Sequence, residues 1–73
     1  MPIDLGTQLA VHRSLAGLTV AQVAQRLAVC RQTVWAWEAN KKRPRYSTLA
    51  RLAAAYSLTD AELGSLVRIA DHG

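Results

Sequence analysis

The most constraining feature of this chain is how little separates two apolar stripes. In VAQVAQRLAVCRQTVWAW, residues 20–37, Val20, Val23, Ala24 and Leu27 recur at helical spacing, and Cys30, Val34 and Trp37 recur at offsets of four and three. Between the stripes stand only Ala28 and Val29, with Cys30 left to serve as the N-cap of the second. A connection that short leaves no room for an excursion, so the two helical segments must turn sharply against each other.

Everything else must pack around that turn. Seventy-three residues make one small domain, residues 1–73, with a single hydrophobic core. The apolar residues are mainly Ala, Leu and Val, with no Phe and two Tyr, a composition that favours helix over strand. The expected fold is all-α, with five short helices. A first helix runs from Ile3 or Asp4 to Ala16, with Leu5, Leu9, Arg13 and Ala16 on one side and Gly17 placed to stop it. The second, over about 19–27, opens on TVAQ, in which Thr19 and Gln22 form a capping box. The third covers about 31–39, with Asn40 suited to the left-handed residue that ends it. This is helix-turn-helix spacing. Pro44 interrupts KKRPRY, Ser47 is placed to cap a fourth helix with the stripe Leu49, Leu52, Ala53 and Tyr56, and TDAE at 59–62 opens a fifth with Leu63, Leu66, Val67 and Ala70.

Two tryptophans sit two residues apart, so on a helix they point about 200° away from each other. Trp37 shares a stripe with Cys30 and Val34, whereas turning Trp35 inward would carry Arg31 and Gln32 into the core. Burying an unpaired arginine costs several kcal/mol. Trp37 therefore belongs to the core, and the outer face of the third helix begins with Arg31 and Gln32 and carries Trp35. Arginine and glutamine match guanine and adenine edges in a major groove. For Trp35 two readings stand open: packing on the basic loop or against another chain, and contact with thymine methyls or the sugar-phosphate wall.

Charge points the same way. The net charge is +4, and residues 31–45 alone carry +4, from Arg31, Lys41, Lys42, Arg43 and Arg45 against Glu38. Residues 1–30 carry +1 and residues 46–73 carry −1. The excess is thus confined to one stretch, which is a footprint for a polyanion, a solvated loop being the plainer alternative. The single cysteine excludes an internal disulfide, and no apolar run is long enough for a signal segment or membrane span. A reducing, cytoplasmic setting without membrane association is expected.

The stretch from Leu18 to Leu63 resembles the Cro/C1-type (XRE-like) helix-turn-helix family, the five-helix phage-repressor fold. Leu18, Thr19, Val23, Ala24, Leu27, Val29, Thr33, Val34, Trp37, Glu38 and Pro44 match its pattern at fixed offsets. The resemblance implies a recognition helix in the major groove, with Arg31, Gln32, Trp35 and Ala36 at the base-facing positions. It places Thr19, Gln22, Thr33, Asn40, Lys41, Lys42, Arg43 and Arg45 on the DNA backbone, and aligns Arg13 and Glu38 with a partly buried ion pair. Four positions depart from the pattern. Val20 replaces a glutamine that usually touches backbone and braces a recognition side chain. Ala28 replaces the turn glycine, Cys30 a Ser or Thr cap, and Asn40 a glycine.

The expected function is sequence-specific binding of double-stranded DNA by a small Cro-like repressor, in the cytoplasm or nucleoid of a bacterium or phage-infected host. A homodimer on a palindromic operator is implied, with Leu66, Val67 and Ile69 as candidate dimer contacts, Ile69 because it lies off the helix stripe. No separate dimerisation or sensor domain is expected, so control would fall to concentration or a regulatory protein partner. The alternative is a protein-binding module, an antitoxin or adaptor, anchored by Trp35 and the basic loop. Catalysis is not expected: His12 lies on the first helix and His72 in the tail, Cys30 has no companion for zinc, and no Gly-rich phosphate loop exists, so neither metal nor cofactor is implied.

Overall fold

A computed structural model describes residues 4–72 of the protein. Ile3, one of the two candidate first residues of the opening helix, lies outside the described residues, as does the side chain of His72. Five helices follow in order: α1 (Leu5–Leu15), α2 (Val20–Leu27), α3 (Arg31–Glu38), α4 (Tyr46–Ala55) and α5 (Asp60–His72). No strand occurs among the described residues. The fold is all-α, as its composition and spacing imply.

Local chemistry sets where the helices begin. Asp4 caps α1 by accepting from the Thr7 N–H at 2.7 Å. Both capping boxes form: Thr19 with Gln22 at the start of α2, and Thr59 with Glu62 at the start of α5. Two expected caps do not. Cys30 stands at the N-cap of α3 without a side-chain hydrogen bond, as a weakly accepting thiol would. Ser47 falls inside α4, which begins at Tyr46 because the Arg45 carbonyl already accepts from Leu49 N–H at 2.9 Å.

All four of α1 to α4 end alike. A residue with positive φ follows each, Gly17 (72°), Ala28 (56°), Asn40 (59°) and Ser57 (57°). Each is followed by an N–H that reaches back to a carbonyl five residues earlier: Leu18 to Arg13, Val29 to Ala24, Lys41 to Ala36 and Leu58 to Ala53, at 2.8–3.1 Å. Only one of the four is glycine. At Ala28 the turn replaces the usual glycine while keeping the left-handed geometry, so the chain carries the strain of a Cβ there.

The core lies where the helices converge. Leu5 and Leu9 of α1, Val23, Ala24 and Leu27 of α2, and Val34 and Trp37 of α3 meet Leu49, Leu52 and Tyr56 from α4 and its end, with Leu66 and Ala70 of α5. α1 packs on α3 and α5, and α2 on α3 and α4. Helix α5 shows a broader inner face than its stripe suggests. Leu66 is 1% exposed, and Val67 and Ile69 pack partly buried against the core. Ile69 is therefore not the freely exposed residue expected from its offset, and Leu66 offers nothing to a second chain.

Candidate nucleic-acid interface

Helix α3 places its two tryptophans on opposite sides. Trp37 is 6% exposed and Trp35 is 69% exposed. Val34, 1% exposed, backs Trp37, and the opposite side presents Arg31, Gln32 and Trp35 to solvent with Ala36 half-buried at its edge. Val20, the first residue of α2, joins Arg31, Gln32 and Trp35 in lining an open groove of about 260 Å³. The stripe it shares with Val23, Ala24 and Leu27 predicts burial, whereas it packs at the rim of the core and shows part of its surface to that groove.

Two buttresses hold α3 at this angle. The Arg13 guanidinium donates Nε to Glu38 Oε2 at 2.7 Å and Nη2 to Glu38 Oε1 at 3.2 Å, and its Nη1 reaches the Leu18 carbonyl at 2.9 Å. One side chain thereby ties α1, the approach to α2 and the end of α3. Donating to the Glu38 carboxylate raises the Arg13 pKa above its usual value. Glu38, an acid inside a basic stretch, is thus turned away from the outer face and paired.

The second buttress centres on Asn40. The family resemblance puts Asn40 on the DNA backbone; here its side chain is engaged within the fold: Oδ1 accepts from Gly6 N–H, and Nδ2 donates to Asp4 Oδ1, both at 2.9 Å. That amide, with the Thr7 N–H, holds the Asp4 carboxyl below its ordinary range. Gly6 is buried, and a Cβ there would run into the Glu38 carbonyl and sit 2.8 Å from Asn40 Oδ1. A glycine near the start of a helix is a visible signal for such a close approach. Arg51 gave none. Its Nη2 donates to the Leu27 carbonyl at 2.8 Å, satisfying the end of α2 from 24 residues away.

Around α3 the polar groups are arranged for an anion. Thr19 and Gln22 are exposed and use their oxygens as acceptors in the capping box, so the hydroxyl and the amide N–H₂ still have donors to offer. The first turns of α2, α3 and α4 contain no acid, whereas α5 begins with Asp60 and Glu62. Negative charge is therefore absent from the N-terminal turns of these three helices, where it would compete with a bound anion. Lys41, Lys42, Arg43 and Arg45 are exposed and extend the positive surface beyond α3, while Pro44 between them is buried and anchors the loop. Tyr46, 64% exposed next to Arg45, adds an aromatic ring to this surface that no stripe or cap signal in the sequence singles out. Thr33 lies half-buried on the flank of α3. No helix among the described residues is long and apolar enough to cross a membrane.

No curated protein and no solved structure matches the chain. A family model described as a helix-turn-helix domain matches residues 4–66, nearly all of the chain and every element described above except the end of α5. The chain belongs to the helix-turn-helix domain family, of the XRE/Cro-like DNA-binding type.

Proposed function

We propose that this domain is a sequence-specific transcription regulator, a small Cro-like repressor that lays α3 in the major groove of a palindromic operator. The outer face of α3 carries the reading: Arg31, Gln32 and a 69% exposed Trp35 stand together on a helix whose other side is fully used in packing. Arg31 and Gln32 supply base discrimination through paired donors and acceptors, with Trp35 and Ala36 closing on the base edges. Lys41, Lys42, Arg43 and Arg45, with Thr19, Gln22 and Thr33, hold phosphates and supply most of the affinity by counterion release. One helix-turn-helix unit covers too little DNA for tight, unique recognition, so two copies act on half-sites about one helical turn apart. With Leu66 inside the core, only the partly buried Val67 and Ile69 remain of the candidate dimer contacts.

Selection of bound sequences from a random duplex library at near-physiological salt tests this. An inverted repeat with half-sites about 10 base pairs apart is the expected result. Arg31→Ala should relax the base preference, and Lys42→Ala should weaken all duplexes alike; equal losses on selected and random DNA for Arg31→Ala would refute that division of labour. The exposure of Trp35 also supports a second reading, a protein-binding module anchored on that ring. Salt separates them, since DNA binding weakens steeply with ionic strength and a Trp-centred protein contact does not.

A further inference from the structure

The groove between the start of α2 and the outer face of α3 has an unusual mixture of walls. Val20 and Trp35 are apolar, and Arg31 and Gln32 are polar. At about 260 Å³ and open to solvent, it falls below the roughly 300–1,000 Å³ of pockets that enclose small ligands. It is instead a shelf beside two base-reading side chains. Val20 sits where the family pattern has a glutamine, so a hydrogen-bonding group has been exchanged for two methyl groups at that wall.

On the major-groove edge of a base pair the apolar feature is the C5-methyl of a pyrimidine; the remaining groups are hydrogen-bond donors and acceptors. An apolar shelf facing those edges is therefore matched by a methyl and penalised by an unpaired donor or acceptor. Arg31 lines the same groove, four residues before Trp35 and thus on the same side of α3, so a guanine O6/N7 edge held by Arg31 would lie beside the shelf. We propose, resting on the DNA-reading function above, that Val20 and Trp35 form a specificity site for a pyrimidine 5-methyl group, thymine's or 5-methylcytosine's, adjacent to a guanine read by Arg31. Arg31 and the methyl shelf then act as one two-base reader.

The test uses the full chain and the duplex recovered by selection. Each thymine is replaced singly by uracil, which deletes the methyl and keeps the pairing, and the position that responds is then refilled with a cytosine or 5-methylcytosine pair. The expected result is one position per half-site, next to a guanine, where uracil weakens binding about three- to fivefold, the worth of one buried methyl. That loss should vanish in Val20→Ala and in Trp35→Ala, each verified as folded by its helical circular dichroism. Tighter binding of 5-methylcytosine than of thymine would identify methylated DNA as the source of the group, and the reverse order ordinary sequence. Indifference to uracil at every position of a duplex that is still selected overturns the methyl site and leaves DNA reading intact. So does a uracil effect that persists unchanged in both variants. Failure to select any sequence overturns the DNA-reading function itself, and the methyl site with it.

Discussion

Trp37 and Trp35 belong to the same eight-residue helix, yet one is 6% exposed and the other 69% exposed, and their surroundings differ in the same sense. On the inner side each group has partners. Trp37 and Val34 fill the core, and Glu38 is forked by Arg13. On the outer side Arg31, Gln32 and Trp35 border an open groove. The inner face answers to the rest of this chain, and the outer face has no packing demand to meet. Stability and recognition are thereby carried by different residues of one helix, and substitutions should separate them.

The largest effect should come from the inner ring. Trp37→Ala removes a large buried side chain, and about 3–5 kcal/mol of stability should go with it, enough to unfold a domain this small. Trp35→Ala should stay within about 0.5 kcal/mol of the parent. Urea unfolding followed by helical circular dichroism measures both. Comparable losses for the two would abolish the distinction between the faces.

Glu38→Ala tests the boundary between them. It strands the Arg13 guanidinium, 21% exposed, with only the Leu18 carbonyl as partner. Removing one member of a fully buried pair costs about 3–5 kcal/mol, and partial exposure reduces this to roughly 1–3 kcal/mol here. Arg13→Ala combined with Glu38→Ala should cost less than the two single losses added together, because the stranded charge is gone. Strict additivity in that cycle would mean that the fork does not couple α1 to α3.

Behind the ion pair, burial first and the Glu38 carboxylate second push the Tyr56 hydroxyl up to about 12, from an ordinary 10.0. The folded state therefore holds a proton that the unfolded chain releases between those values. Stability gained from the neutral phenol is complete below pH 10 and falls as pH rises through the window from 10 to about 12. Urea midpoints should decline across pH 10–11 by the equivalent of about 1 kcal/mol. Tyr56→Phe should flatten that decline.

The inner face was legible in the sequence because it follows a period. Val34 and Trp37 lie on a stripe, and the reverse orientation would bury Arg31; the boxes at Thr19 and Thr59 announce where α2 and α5 begin. What escaped lies between elements. Asn40 has the shape of a helix terminator, and the sequence shows its backbone role; that its amide reaches Gly6 and Asp4 depends on how α1 is laid across the end of α3. Arg51 on the Leu27 carbonyl is equally non-local. Ile69 was misplaced for a different reason: α5 is packed by both α1 and α4, so its buried arc is wider than one stripe. Ser47 failed as a cap because backbone hydrogen bonding from Arg45 closes the first turn of α4 earlier.

The smallest effect concerns the turn that delivers the outer face. Gly17 and Ala28 occupy equivalent positions after α1 and α2, with φ of 72° and 56° and the same backward hydrogen bonds, but only one of them carries a Cβ. A left-handed alanine is strained by about 1–2 kcal/mol, and a glycine returns part of that gain through its freer unfolded chain. Ala28→Gly should therefore stabilise the domain by about 1 kcal/mol, and Gly17→Ala should destabilise it by a similar amount. Ala28 is exposed and does not line the groove, so the glycine variant should leave discrimination between selected and random duplex unchanged. A stabilised variant with altered base preference would show that the strain at this turn sets the angle at which α3 meets its target. The inner and outer faces would then be coupled through Ala28, and the separation drawn from the two tryptophans would hold for side-chain packing alone.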